Sequence, residues 1–195
     1  MKKHNLKLIT DDLRIWSREY LEIPNVHLNK MPACPFAKQA WKDDKVVIEL
    51  RNVEKGYTRN LDQVLKTINW NKKEILIFCD LAFKDYSLNK FQTIIDRFNN
   101  KYNKRDLYFM GFHPKNPANN DEQAFLVEPN GDRESLPKSD LIYSMMLIQK
   151  FSQLYYASVK LHKMGYYKKW PKDYYDDVVT NRQMLYERLN KGAKK

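Results

Sequence analysis

The chain has 195 residues, of which 43% are hydrophobic, and a formal net charge of +11 at pH 7. That length and hydrophobic share suit one globular domain over residues 1–195 and exclude wholesale disorder. Five glycines, with no G-x-G-x-x-G and no G-x-x-x-x-G-K-[ST], exclude the usual glycine-rich phosphate loops.

Two cysteines without a C-x-x-C cannot build a disulfide framework, so both thiols are expected free, in a reducing, cytoplasmic setting. No apolar run approaches a membrane span. Residues 1–9 read as a basic lead and lack the sustained apolar stretch of a signal peptide. The excess of lysine allows two readings. One is an acidic partner, such as nucleic acid or a larger assembly. The other is composition alone, because the lysines are spread along the chain.

In chain order, residues 1–30 form a helical lead. Thr10-Asp11-Asp12 is a helix start, with Leu13, Trp16 and Tyr20 on one face and Pro24 as the stop. The stretch Met31-Pro32-Ala33-Cys34-Pro35-Phe36-Ala37-Lys38 boxes a cysteine between prolines. Proline stiffens its own backbone and the residue before it. With Pro35 opening a helix, Cys34 would be the N-cap, where helix amides and Lys38 favour a thiolate. The plainer alternative is a small buried apolar residue.

Residues 31–137 read as the sheet core. Val46–Leu50 is a short apolar strand, expected to be buried on both faces. Thr58 caps a helix whose Leu61, Val64, Leu65 and Ile68 make an amphipathic stripe. Glu74–Cys79 is a second strand, ending at Asp80. Ser87 caps a helix with the stripe Phe91, Ile94, Ile95, Phe98 and Tyr102. Asp106–Phe112 is a third strand, ending at His113-Pro114. This β-α-β-α-β run predicts an α/β fold with a mainly parallel central sheet. Ala124–Glu128 would add one antiparallel strand, followed by a turn at Pro129-Asn130-Gly131-Asp132.

Residues 138–195 read as two C-terminal helices. The first is expected over 139–163, capped by Ser139 and about 37 Å long. It is apolar on more than one face, which suits burial or a homo-oligomer contact. Trp170-Pro171-Lys172-Asp173 starts the second, with Tyr174, Val178, Leu185 and Leu189 inward.

Ligands of open parallel sheets bind beyond the carboxyl ends of the strands. That edge would carry Arg51, Asp80, Asp85, Tyr86, His113 and Lys115. If the Cys34 loop folds over it, a thiol, an imidazole and a carboxylate converge. The catalytic candidates are therefore Cys34, His113, Asp80 and Asp85, acting on a small anionic substrate or in redox chemistry. Arg51, Tyr86, Lys115 and Asn119 are the substrate-binding candidates. Plainer roles exist for each: Asp80 capping a turn, His113 bonding a carbonyl, Arg51 in an ion pair. No H-x-x-x-H or H-E-x-x-H pairing suggests a metal, and the residues name no cofactor. Lys160, Lys163, Lys168 and Lys169 interleave with Tyr166, Tyr167 and Trp170, the pattern of a nucleic-acid surface. The alternative is a turn whose aromatics pack inward.

Four stretches occur in a telling order: Cys34-Pro35-Phe36-Ala37, Phe83-Lys84-Asp85-Tyr86, Phe112-His113-Pro114 and Asn116-Pro117-Ala118-Asn119. Together they resemble an uncharacterised bacterial domain-of-unknown-function family with Cys-Pro-Phe-Ala and Phe-His-Pro motifs. The fourth stretch has asparagine where the family has aspartate. Arg133-Glu134-Ser135-Leu136-Pro137 matches the family's later region only in part. The resemblance covers about residues 31–150. It implies that Cys34, Asp85, Tyr86, His113 and Asn119 cluster, and it supplies no reaction.

Overall fold

A computed structural model of the chain describes residues 6–51, 60–115, 126–127, 133–134 and 143–191. The first helix, α1 (Leu6–Trp16), starts earlier than Thr10, whose hydroxyl donates back to the Leu6 carbonyl inside the helix. Ile9, Leu13 and Trp16 are its buried face. One wide π-helical turn, Ser17–Leu21, closes it. Two short strands, β1 (Pro24–Asn25) and β2 (Met31–Pro32), then pair antiparallel and lead to α2 (Ala37–Lys42).

The main sheet begins with β3 (Val46–Arg51). Helix α3 (Leu61–Thr67) follows, capped reciprocally by Asn60 and Gln63; Thr58 lies outside the described residues. Strand β4 (Ile75–Asp80) comes next, then a single 3-10 stretch, Leu81–Asp85. Helix α4 (Leu88–Tyr102) is capped by Ser87, whose hydroxyl accepts the Lys90 amide. Its buried face is Phe91, Ile95 and Tyr102. Strand β5 (Leu107–Phe112) follows.

The chain then departs from the expected order. Among the described residues, strands β6 (Leu126–Val127) and β7 (Arg133–Glu134) pair with each other, antiparallel, as a sheet separate from the main one. The fourth main strand is β8 (Met145–Lys150), which runs straight into α5 (Phe151–Lys163). Over its described part, 143–163, the single helix expected at 139–163 is therefore a strand and a shorter helix; Ser139 lies outside the described residues. Met, Leu, Gln and Lys are all good helix formers, so local preference pointed to a helix. Burial in the sheet centre overrides it. With it goes the long two-faced helix on which an oligomer contact was based. The chain ends with α6 (Lys172–Tyr175), a π-helical turn (Asp176–Thr180) and α7 (Asn181–Lys191). A π turn inserts an extra residue and shifts the helical phase. Val179, not Val178, is accordingly the buried anchor there.

The sheet order is β3-β4-β8-β5. Among the described strands, only β3 and β4 are parallel neighbours; β8 is antiparallel to both β4 and β5. The fold is thus α/β in the broad sense, with a mixed sheet and not a mainly parallel one. The three strands of the β-α-β-α-β run do point one way, as the helical crossovers require, but β8 separates the second from the third. The edge strand β3 is half-buried throughout, so the expectation of burial on both faces fails there. On one sheet face, α3 and α4 pack on Leu76, Phe78, Phe109, Met146 and Ile148. On the other, α1 packs on Ile77, Cys79 and Met145. Leu28, Leu161 and Tyr166 form a third cluster, joining the loop before Cys34 to the C-terminal segment. No described helix is long and apolar enough to cross a membrane.

Candidate functional site at the carboxyl edge of the sheet

Strand register brings four polar side chains into a row. Arg51 is paired with Asp80 at the carboxyl ends of β3 and β4. Met145 begins β8 and is paired with both Cys79 and Phe112. Asp80, Ser144 and His113 each follow one residue outward from these partners, so continuing the register would set Ser144 between the other two. Side chains alternate along a strand. Asp80 therefore shares the face of Phe78, Ser144 that of Met146, and His113 that of Phe109. His113 meets Phe91 and Phe83 on the α3–α4 side, and Arg51 reaches Asp80.

The row is mostly sealed. Asp80 and His113 are each 2% exposed and Ser144 is 4% exposed. The Arg51 side chain keeps 41% of its surface and donates from Nη1 to Asp80 Oδ2 at 3.1 Å. The other oxygen, Asp80 Oδ1, accepts the Ala82 amide at 3.0 Å and so starts the Leu81–Asp85 stretch. Burial raises the Asp80 pKa above the usual carboxylate range, and the Ala82 amide and Arg51 only partly offset it. The Arg51 Nε and the Ser144 hydroxyl are both buried without a hydrogen-bond partner among the described residues. Leaving such groups unpaired costs on the order of 1–3 kcal/mol each.

His113 acts as a brace. Its Nδ1 accepts the Lys115 amide at 3.1 Å, and its Nε2 lies 3.1 Å from the Phe83 carbonyl, which only a protonated Nε2 can satisfy. Its ring sits 5.3 Å from that of Phe91. Gly111, two residues earlier, lets α4 approach; a Cβ there would stand 2.8 Å from Phe91 Cε1. The Phe83 ring in turn lies 5.7 Å from Tyr86, and Lys90 Nζ sits 3.7 Å over the Tyr86 ring. The Phe83–Tyr86 stretch and the Phe112–Pro114 stretch therefore meet. Asp85 ends the 3-10 stretch and is exposed. Lys115 contributes its backbone amide to the brace. Asn119 falls outside the described residues.

Cys34 lies elsewhere. Its amide donates to the Leu21 carbonyl at 2.9 Å and its carbonyl accepts the Ala37 amide at 3.1 Å. The Tyr166 hydroxyl donates to the adjoining Ala33 carbonyl at 2.7 Å. Helix α2 begins at Ala37 with Phe36 as its cap, so Cys34 is not the N-cap. Burial raises the Cys34 thiol's pKa, and the Phe36 and Ala37 amides act the other way. Burial outweighs them, and Glu22 adds to burial, so the thiol is raised, opposite to an activated thiolate. Its partners belong to the α1 and C-terminal layers, whereas those of His113 belong to the α4 layer. The structure thus brings Arg51 to Asp80 and the Tyr86 stretch to His113, while Cys34 bonds to neither group. Cys79 is core, and burial pushes its thiol up to about 12.

Sequence reasoning missed Ser144, because a serine ahead of an apolar run of helix formers reads as part of a helix. Among the described residues there is no group of three or more His, Cys, Asp or Glu side chains placed to hold a metal. Lys160, Lys163 and Lys168 are exposed and Lys169 is half-buried. Lys168 and Lys169 line a cleft of about 510 Å³ with Val26, Asn29, Trp170 and Pro171. The aromatics beside them pack on one another, with Trp170 4.9 Å from both Tyr167 and Tyr174. Comparison with known proteins returns no matching family model, no matching curated protein and no matching solved structure.

Proposed function

We propose that the chain binds and acts on a small anionic molecule at the carboxyl edge of its sheet. The observation that carries this reading is the pair of unpartnered buried groups, Arg51 Nε and Ser144 Oγ, flanking Asp80 on one sheet face. Fold-stabilising polar groups are normally satisfied within the protein. Two that are not, beside a desolvated carboxyl, suit a bound ligand. Arg51 holds the anion, Ser144 supplies a hydroxyl, and Asp80, its pKa raised by burial, handles the proton. His113 is a positioning residue that fixes the Phe83–Tyr86 stretch against Lys115. Thiol chemistry at Cys34 has no part in this reading. The proposed likeness to the domain-of-unknown-function family rests on the order of its four short stretches in the sequence.

The test is calorimetric titration of the full chain with inorganic phosphate and with small mono- and dicarboxylates. Arg51→Met is expected to weaken binding at least about tenfold, as loss of a charge-assisted hydrogen bond does, and Ser144→Ala by a smaller factor. Absence of binding by every anion, or binding untouched by Arg51→Met, removes the reading.

The cleft lined by Lys168 and Lys169 favours a second reading, a basic surface for nucleic acid or a larger assembly. It requires salt-steep binding of single-stranded oligonucleotides. Neutralising Lys160, Lys163, Lys168 and Lys169 together must abolish that binding; unchanged affinity eliminates it.

A further inference from the structure

At the opposite end of the sheet, the amino end of β5 borders a cleft of about 660 Å³. Its walls come from Asn103, Lys104 and Asp106, from Ser152 in the first turn of α5, and from Tyr186, Arg188, Leu189 and Asn190 of α7. That volume falls in the usual range of small-molecule sites.

Three features make the cleft more than a surface dent. First, it carries two cations, Lys104 and Arg188, both exposed, and neither has an ion-pair partner among the described residues. The carboxylate in the described wall, Asp106, is already engaged. Its Oδ1 accepts the Ser152 amide at 2.7 Å and its Oδ2 the Ser152 hydroxyl at 2.6 Å. The neighbouring acid on α7, Glu187, accepts the Tyr155 hydroxyl at 2.8 Å. Second, Asn103 is a wall residue whose side-chain carbonyl is buried and has no hydrogen-bond partner among the described residues, so an N–H or O–H donor brought beside it would satisfy it. Third, Tyr186 and Leu189 supply an apolar wall. The Tyr186 ring is held rigid, stacked 4.5 Å from Tyr155 and edge-on to Phe151 at 5.1 Å.

Positive charge at the rim, a buried lone acceptor and a fixed aromatic wall together describe a ligand with an anionic group, a donor edge and a flat apolar body. We propose that this cleft binds a nucleoside monophosphate, with Lys104 and Arg188 on the phosphate, Asn103 accepting from the base and Tyr186 with Leu189 against its plane. This site stands on residues separate from the carboxyl edge and does not depend on the function proposed there.

The experiment is calorimetric titration of the full chain at low salt with the four nucleoside 5′-monophosphates, with adenosine and inorganic phosphate as partial probes. At least one monophosphate is expected to bind, more tightly than either partial probe. Lys104→Ala and Arg188→Ala, at exposed positions that leave folding intact by circular dichroism, should each weaken it at least about fivefold. Asn103→Ala should narrow the differences among the four bases. Arg51→Met should leave the binding unchanged, which separates this cleft from the carboxyl edge. No binding by any monophosphate, phosphate binding as tight as the nucleotides, binding insensitive to both cation substitutions, or loss of binding in Arg51→Met would each overturn the proposal.

Discussion

The two ends of the four-stranded sheet carry similar chemistry and treat it in opposite ways. At the carboxyl end, an arginine, a carboxylate, a serine and an imidazole are drawn into the sheet edge, and most of their atoms brace the fold. At the amino end, a lysine, an arginine, an asparagine and a tyrosine surround open space, while Asp106 braces the start of α5. The difference lies in which groups have partners. A buried group with a partner is architecture. A buried group without one is either a standing cost or a place for a ligand. Among the described residues, the carboxyl end has two such atoms and the amino end has one.

The sharpest way to break this comparison is at His113. His113→Ala strands the Phe83 carbonyl and the Lys115 amide and leaves a void beside Phe91. It should lower the unfolding free energy by about 2–4 kcal/mol, read from urea denaturation. A loss below about 0.5 kcal/mol, the scale of an ordinary surface change, would mean that the imidazole is not a brace and is free for chemistry. Next in size is Asp106. It sits in the left-handed region at φ 58° and caps α5 from 46 residues away. Asp106→Ala gives up both, and about 1–2 kcal/mol is expected in the same assay. If stability is unchanged, the carboxylate is available to the cleft and its two cations are not uncompensated.

A smaller effect distinguishes Asp80 by pH. Because burial raises its pKa, the folded protein takes up this proton more readily than the unfolded chain does. Its contribution to stability must grow as pH falls through the folded value towards the unfolded one, near 3.9. Asp62 behaves oppositely. Lys101, then Tyr102, hold its carboxyl below the usual range, so its contribution is lost as pH falls through that lowered value. Between pH 7 and pH 4, wild type should therefore gain stability relative to Asp80→Asn and hold steady or lose slightly relative to Asp62→Asn. Parallel curves for wild type and Asp80→Asn would show that the carboxyl is not desolvated. The least perturbing probe is alkylation of the native protein at neutral pH. Cys34 should react more slowly than a free thiol and Cys79 more slowly still, since burial raises both. A Cys34 rate above that of a free thiol would return the thiolate to the candidate site.

Much of this was legible in the chain. Residues 46–112 announce their strands and helices by apolar runs and 3.6-residue stripes, and Ser87 caps the helix it was expected to cap. The sheet edge was also legible, since Arg51, Asp80 and His113 end successive apolar runs. Pairing across the sheet was not. Ser144 enters the row only because β8 slides between β4 and β5, and nothing local to Ser144 says so.

Alone, then, the sequence determined which segments are apolar, how the three parallel-pointing strands follow one another, and which polar residues end them, because those properties depend on neighbours within a few residues. Tertiary structure decided that Met145–Lys150 is a strand, that α5 starts at Phe151 under a cap lent by Asp106, and that Cys34 and His113 bond in different layers. Each of those outcomes depends on contacts between residues dozens of positions apart, where burial outweighs the local preference of the backbone.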